Sequence, residues 1–163
     1  MNRRIKAKKQ VNTMLHHHFK YLFVENAIDL NTIHLTFQMD SKSHNLQMTL
    51  RFTDKYCDVL CFISPRVLNE KYENFDVLKT INTINWYIKS SGRFYIDDYN
   101  DIVYSLRLGY DILETMPDMF LAELETSIQY YEDLFVLILE VSSGKKTYCE
   151  CKEFIDEMWG VLE

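Results

Sequence analysis

Histidine and cysteine are the residue types in this chain whose clustering could indicate a metal site. His16, His17 and His18 are consecutive within a helical pattern. Successive helix residues are rotated by about 100°, so three in a row cannot face one ion, and helical ligands need a spacing of four residues. We therefore expect His18 to join the apolar core stripe, with His16 and His17 in solvent.

The four cysteines follow no zinc pattern either. Cys57 and Cys61 lie on one face of a predicted strand, about 13 Å apart at roughly 3.3 Å per residue, which is too far for one zinc ion or a disulfide. Cys149 and Cys151 diverge on a helix. We interpret the first pair as buried apolar side chains and the second as incidental thiols. A metal sensor remains an alternative if folding brings histidine and cysteine together.

Catalytic motifs are missing from the sequence. It contains no nucleophile elbow, no phosphate-binding loop, no dinucleotide fingerprint and no His-Glu-x-x-His. Asp97, Asp98 and Asp101 cluster at a predicted turn without the glycine and later glutamate of a calcium loop, so we interpret them as turn residues that bond their own backbone. We predict a protein without catalytic residues, cofactor or metal.

The elements that would position these residues follow from the spacing of apolar side chains. Helical spacing predicts helices over 5–27, about 74–88, 117–142 and 148–159, with 1–10 as a basic arm that frays. Period-two alternation predicts strands over 33–39, 46–52, 93–97 and 102–108, each with one face in the core. The stretch 56–64 is apolar on both faces, so we expect a strand that is central or covered on both sides.

Turn and capping residues mark the ends of these elements. We expect Gly92 to adopt the left-handed conformation that closes a helix. Thr115 is the predicted cap of the long helix, and Pro117 suits its first turn. The order is α-β-β-β-α-β-β-α plus a short C-terminal helix. This predicts an α+β fold in one domain, 1–163, with a five-stranded antiparallel sheet and helices packed on one face.

Composition and charge exclude several classes of function. A content of 47% hydrophobic residues is ample for a core. The first ten residues hold five of the 18 Lys and Arg and no acid, so the remainder carries 13 bases against 24 acids. That acidic body argues against nucleic acid as the main partner. No apolar run approaches the roughly 18 residues of a membrane helix. We expect a cytoplasmic protein.

Surface residues suited to protein binding remain. Arg51, Tyr95 and Arg107 should share the outer sheet face, and tyrosine with arginine is typical of interface anchors. A plain solvated sheet face is the alternative interpretation. Trp86 lies beside the core stripe of the second helix and is expected to be exposed, which makes that helix a candidate dimer contact.

The order of elements and several short motifs resemble a known family. The motifs are Asn82-x-x-Asn85 late in the second helix, the glycine-led stretch 92–97, the strand 102–108 and the long helix that starts with a proline. Over roughly residues 30–140 they resemble the YbjN-like family of bacterial domains, which has the type III secretion chaperone-like fold. The acidic, glycine-marked hairpin turn of such domains is replaced here by Tyr99-Asn100.

The resemblance implies a non-enzymatic chaperone, adaptor or regulator, often dimeric, with no catalytic residues to carry over. Together with the missing catalytic motifs and the acidic body, it predicts a protein-interaction module that binds a protein or peptide partner. Self-association through the second helix or a sheet edge is expected. The alternative is a sensor domain that binds a small ligand or metal ion between helices and sheet.

Overall fold

The computed structural model describes residues 2–19, 23–24, 30–39, 43–68 and 75–160. Within these ranges the elements are α1 (Arg3–His18), β1 (Phe23–Val24), β2 (Thr32–Gln38), β3 (Asn45–Phe52), β4 (Tyr56–Ser64), α2 (Phe75–Tyr87), β5 (Arg93–Ile96), β6 (Ile102–Gly109), α3 (Tyr110–Thr115), α4 (Pro117–Ser142) and α5 (Tyr148–Trp159). The predicted α+β class, the order of its elements and the five predicted strands are confirmed.

The strands form one antiparallel sheet in the order β1-β2-β3-β4-β6-β5. The five predicted strands make up its body, and the two-residue β1 extends the edge beside β2. Strand β4 lies between β3 and β6, as its apolar sequence predicted, and it ends at Ser64, immediately before Pro65.

Alternation along each strand places one set of side chains in the core. On the central strand Cys57, Val59 and Cys61 are fully buried, whereas Leu60 and Phe62 between them are partly exposed. A sheet with one buried face needs cover on that face only, and the helices supply it. None of the helices in the described ranges is long and apolar enough to cross a bilayer.

Helix α2 is attached to the β5–β6 hairpin by packing and by one amide side chain. Its buried stripe includes Val77, Ile81 and Ile84. The Asn85 Nδ2 donates to the Phe94 carbonyl oxygen, and the Phe94 amide nitrogen donates to Asn85 Oδ1, both at 2.8 Å. The Asn85 amide therefore bonds both the N–H and the C=O of Phe94, as a residue of a neighbouring strand would. These two bonds attach the helix to β5.

The long helix α4 is joined to the sheet by the buried hydroxyl of Tyr131. This oxygen accepts from the Tyr104 amide nitrogen at 2.9 Å and lies within donor distance of two carbonyl oxygens, Cys61 at 2.6 Å and Ile102 at 2.9 Å. Cys61 and Tyr104 are register partners on β4 and β6. The phenol therefore bridges paired strands, and its burial raises the pKa of Tyr131 well above the usual value.

Three predictions about local structure differ from the structure or lie partly outside the described residues. The helix predicted over 5–27 ends at His18, and residues 23–24 pair as a strand with β2 instead; residues 20–22 and 25–29 lie outside the described ranges. The predicted frayed arm is helical from Arg3, because Asn2 caps the helix and Arg3 pairs with Asp111 and Glu114. Of the predicted turn 41–45, residues 41 and 42 are outside these ranges.

The predicted roles of Gly92 and Thr115 are also wrong. Gly92 does not have a positive φ; a Cβ on it would lie 2.3 Å from atoms of the Tyr104 ring, so the residue is small to admit that ring. Thr115 ends a short helix, α3, that the sequence did not predict, and Met116 occupies the N-cap position of α4 without a side-chain bond. Pro117 opens α4 as predicted.

Removing the Tyr131 hydroxyl tests whether it holds helix to sheet. In Tyr131→Phe the Tyr104 amide and two carbonyl groups lose a partner inside the core, so we expect the free energy of unfolding to fall by about 1–3 kcal/mol. Urea denaturation measures it. Tyr130→Phe on the same helix is the matched control, since no hydrogen bond of its hydroxyl is present among the described residues. An equal loss in both variants would contradict the bridging role.

Candidate functional site

The outer face of the sheet is the side that the helices leave uncovered. We define it by the side chains on β2–β6 that alternate with those facing the helices. They are Thr32, His34, Thr36, Gln38, Asn45, Gln47, Thr49, Arg51, Tyr56, Asp58, Leu60, Phe62, Ser64, Arg93, Tyr95, Val103, Ser105 and Arg107.

Three charged residues form one row across the outer face. Arg51 and Arg107 are the register partners of Asp58 on either side. Arg51 Nη2 donates to Asp58 Oδ2 at 2.9 Å, and Arg107 Nε donates to Asp58 Oδ1 at 2.8 Å. The Asp58 side chain is only 8% exposed, whereas those of Arg51 and Arg107 are 59% and 61% exposed. The carboxylate is thus enclosed between two guanidinium groups that face solvent.

Arg107 is held by a second contact. Its guanidinium carbon lies 3.9 Å from the centroid of the ring of Tyr56, which precedes Asp58 by two residues on β4. Arginine stacks on aromatic faces as well as forming planar hydrogen bonds. The hydrogen bond to Asp58 raises the pKa of Arg107 further above its usual value. The side chain is therefore permanently charged and fixed in direction.

An apolar patch adjoins this row on the outer face. Leu60 and Phe62 are partly exposed on β4, and the next row contains Phe62, Val103 and Tyr95 as successive register partners. Tyr95 is exposed on the edge strand, and burial of its hydroxyl region, with the nearby Asp97, raises its pKa. Partial exposure of neighbouring apolar and aromatic side chains is a composition that protein interfaces share.

The structure brings Arg51 and Arg107 together and places Tyr95 on the same face at a distance. Val103, the partner of Tyr95, is four residues from Arg107 on β6. At roughly 3.3 Å per residue, the two ends of the site are about 13 Å apart along the strands. The predicted shared face of these three residues is confirmed.

The charge of the outer face is opposite in sign to that of the whole chain. Its strand residues include three arginines, Arg51, Arg93 and Arg107, and one acid, Asp58. The full sequence has 24 acids against 18 Lys and Arg. Arg93 differs from the other two, because its Nη1 donates to the backbone carbonyl oxygens of Ser90 and Gly92.

A second surface runs along the outward side of α2. Phe75, Leu78 and Trp86 are 60%, 47% and 84% exposed. With Asn82 they recur at three- and four-residue spacing on the side of the helix opposite its buried stripe. We call this set the α2 stripe. Lys79 lies at its border, with its ammonium 4.3 Å from the centroid of the Phe75 ring.

A groove of about 470 Å³ separates α2 from α5 beside the α2 stripe. Trp86 lines it on one side and Tyr148 and Lys152 on the other. Among its lining residues, Asp156 accepts from the Tyr87 hydroxyl at 2.7 Å and pairs with Lys152. The hydrogen bond from Lys152, and then that from Tyr87, lowers the pKa of Asp156.

Histidine and cysteine are not brought together. His18 is exposed and pairs with Glu125, so the prediction that it joins the core is wrong: Leu15, one turn earlier, ends the buried stripe of α1. Among the residues with described positions, no three His, Cys, Asp or Glu side chains are placed to share a metal ion.

The cysteines of the central strand are buried, as predicted. Cys57 and Cys61 have no exposed surface, and burial raises the pKa of both thiols. Cys149 is exposed and Cys151 is buried, so the second pair does diverge. A raised thiol pKa lowers the thiolate fraction and with it reactivity.

Of the aspartates of the hairpin turn, Asp97 bonds the turn backbone as predicted, whereas the Asp101 carboxylate pairs with Arg66 at 3.2 Å. Asp97 Oδ1 accepts from the amide nitrogens of Tyr99 and Asp101, both at 2.9 Å, and Asn100 takes the positive φ of 58° that the turn requires. Asn85 holds helix to hairpin, as described above. Asn82, by contrast, lies in the groove beside Trp86.

The sequence prediction missed Asp58, the residue at the centre of the charged row. It is the one acid in the strand 56–64. Arg51 and Arg107 occur on the outward-facing side of two strands, 46–52 and 102–108, that could pair with it. These features are visible in the sequence, but only the register between β3, β4 and β6 places the three side chains side by side.

Comparison of the chain with protein-family models, with curated proteins and with solved structures found no match.

Proposed function

We propose that this protein is a non-enzymatic protein-interaction module, chaperone-like or adaptor-like, that binds a polypeptide partner on the outer face. The proposal includes membership of the YbjN-like family that the sequence resembles. One observation carries it: the described helices pack on one face of a sheet of five full strands, and the other face combines an apolar patch with fixed arginines. Exposed apolar patches rimmed by polar residues mark sites of interaction with other molecules.

The titratable groups support a role without catalysis. Among the described residues, burial strongly raises the pKa of Cys57, Cys61 and Tyr131 and so keeps these groups neutral. A nucleophile or general base needs the opposite change, towards an available charged form near neutral pH. The Tyr131 hydroxyl is in addition engaged with three backbone groups.

A photo-cross-linker on the outer face tests the proposal. We would replace Tyr95, which is exposed there, by p-benzoylphenylalanine, and irradiate cells that contain the variant. We expect one discrete polypeptide adduct, identified by mass spectrometry, because a docked partner lies within reach of the ring. Phe154, exposed on α5, is the matched control position and should not give that adduct.

A second substitution in the same experiment locates the contact. Phe62→Asp places a charge in the apolar patch beside Tyr95 without disturbing the buried face, so the adduct should disappear. Identical adducts from the Tyr95 and Phe154 positions, or none at Tyr95, would refute binding on the outer face.

We further propose that the protein self-associates through the α2 stripe. Three large apolar side chains on the solvent side of one helix can pair with the same set on a second copy, as two-fold interfaces require. Light scattering after size exclusion should give a dimer for the native chain and a monomer for Trp86→Glu. Tyr99→Glu, at an exposed aromatic of the hairpin turn, is the control. A native monomer would contradict this proposal.

The groove between α2 and α5 favours one other candidate function, a sensor of small ligands. Its volume of about 470 Å³ falls within the range of small-molecule sites. A thermal-shift screen separates the candidates, since a ligand that binds only the folded state raises the melting temperature with concentration. Stabilisation by one compound or ion, lost in Trp86→Ala, would favour the sensor; no stabilisation across the screen would count against it.

A further inference from the structure

We infer that the outer face recognises an acidic polypeptide segment, with one carboxylate of the partner bound between the guanidinium groups of Arg51 and Arg107. This inference depends on the proposed function and states the chemistry of its partner. The inference is based on the charged row, which selects a carboxylate. The apolar patch beside the row selects an apolar residue in the same segment.

The two arginines have donors to spare. Each guanidinium carries five N–H groups in a planar fork. Asp58 accepts from Nη2 of Arg51 and from Nε of Arg107, and no other hydrogen-bond partner of either guanidinium is found among the described residues. Both side chains are more than half exposed. Their remaining N–H groups are therefore available to a carboxylate, which arginine can bind through two parallel hydrogen bonds.

The arginines are also held in place before any partner arrives. Asp58 fixes one nitrogen of each, and the Tyr56 ring supports Arg107 from one side. An arginine that is already ordered loses less conformational entropy on binding than a free one. Because Asp58 neutralises only one of two positive charges, the row keeps an uncompensated charge that attracts an acid.

Charge and distance specify the segment further. The outer face has three arginines and one aspartate, in a chain of net charge −6. Within the apolar patch, the row of Phe62, Val103 and Tyr95 lies about 13 Å from the charged row, which is roughly four residues of extended chain. In an extended segment, residues four apart lie on the same side. The expected partner therefore has an aspartate or glutamate four positions from a large apolar residue.

The same features favour polypeptide over nucleic acid. A phosphate backbone carries a charge on every nucleotide and would have to approach a chain of net charge −6, whereas a single carboxylate between two arginines meets less repulsion. Leu60 and Phe62 offer apolar side chains rather than a continuous basic track. An oligonucleotide is nevertheless the informative competitor, because it too would bind guanidinium groups.

Fluorescence anisotropy with labelled peptides tests the inference. The probe is an extended peptide of about ten residues with glutamate four positions from a tryptophan, and the control peptide has glutamine in place of the glutamate. We expect the glutamate peptide to bind about tenfold more tightly, in line with hydrogen bonds to a charged group, and the difference to shrink as salt is added.

Protein variants then assign the difference to the charged row. Arg107→Gln should lower affinity for the glutamate peptide about tenfold and leave the glutamine peptide almost unchanged, because only the former has a carboxylate to lose. Arg3→Gln, at an exposed and ion-paired arginine on α1, is the matched control and should behave as the native protein. Thermal unfolding of each variant verifies that it is folded.

Four results would overturn the inference. They are no binding of the glutamate peptide at millimolar protein, equal binding of both peptides, equal loss of both in Arg107→Gln, and an oligonucleotide of equal charge that binds as tightly as the glutamate peptide. The cross-link at Tyr95 separates this failure from failure of the proposed function: an adduct that persists in Arg107→Gln leaves a partner on the outer face but not an acidic one at the charged row.

Discussion

The pairing of strand β4 with its two neighbours is the constraint on which both faces of the sheet depend. The strand pairs with β3 on one side and β6 on the other, so its alternate residues lie at the centre of each sheet face. Inward, Val59 and Cys61 are fully buried under the helices. Outward, Asp58, Leu60 and Phe62 form the middle of the outer face. Because the side-chain period of a strand is two residues, a shift of register by one would exchange the two sets.

The Tyr131 hydroxyl reinforces that register from the helical side. It contacts Cys61 on β4 and both Ile102 and Tyr104 on β6, so it is satisfied only when these strands are correctly paired. A buried polar group without partners is costly, so the same oxygen penalises a slipped pairing. The helix face that closes the core thus also determines which residues stand beside Asp58 on the opposite side of the sheet.

Much of this arrangement could be predicted from local sequence, since alternation in 46–52 and 102–108 already places Arg51 and Arg107 on one face. What local pattern could not provide was the partner across the strands, and so Asp58 was missed. The errors have the same origin. Phe19, Leu22 and Phe23 continue the helical spacing of α1, yet Phe23–Val24 pairs with β2. Gly92 has the sequence position of a helix terminator, but the close approach of the Tyr104 ring is the reason that a glycine is needed there.

The charged row contributes little to stability, which bears on why it exists. Ion pairs between exposed groups are worth roughly 0–1 kcal/mol, and both arginines here are largely exposed. Enclosing Asp58 at 8% exposure has its own desolvation cost. An apolar residue in that position would suit a central strand at least as well. We therefore attribute the charged row to its effect on the two guanidinium groups, which Asp58 holds in position, rather than to a contribution to folding stability.

The two proposed surfaces are compatible with one another in space. Helix α2 packs on the inner side of the sheet and is tied to β5 by Asn85, while Phe75, Leu78 and Trp86 point away from it. Pairing of two copies through the α2 stripe would consequently leave the outer face of each copy open. A dimer would present two identical faces, and a partner with two acidic segments could bind both, gaining avidity without any new contact.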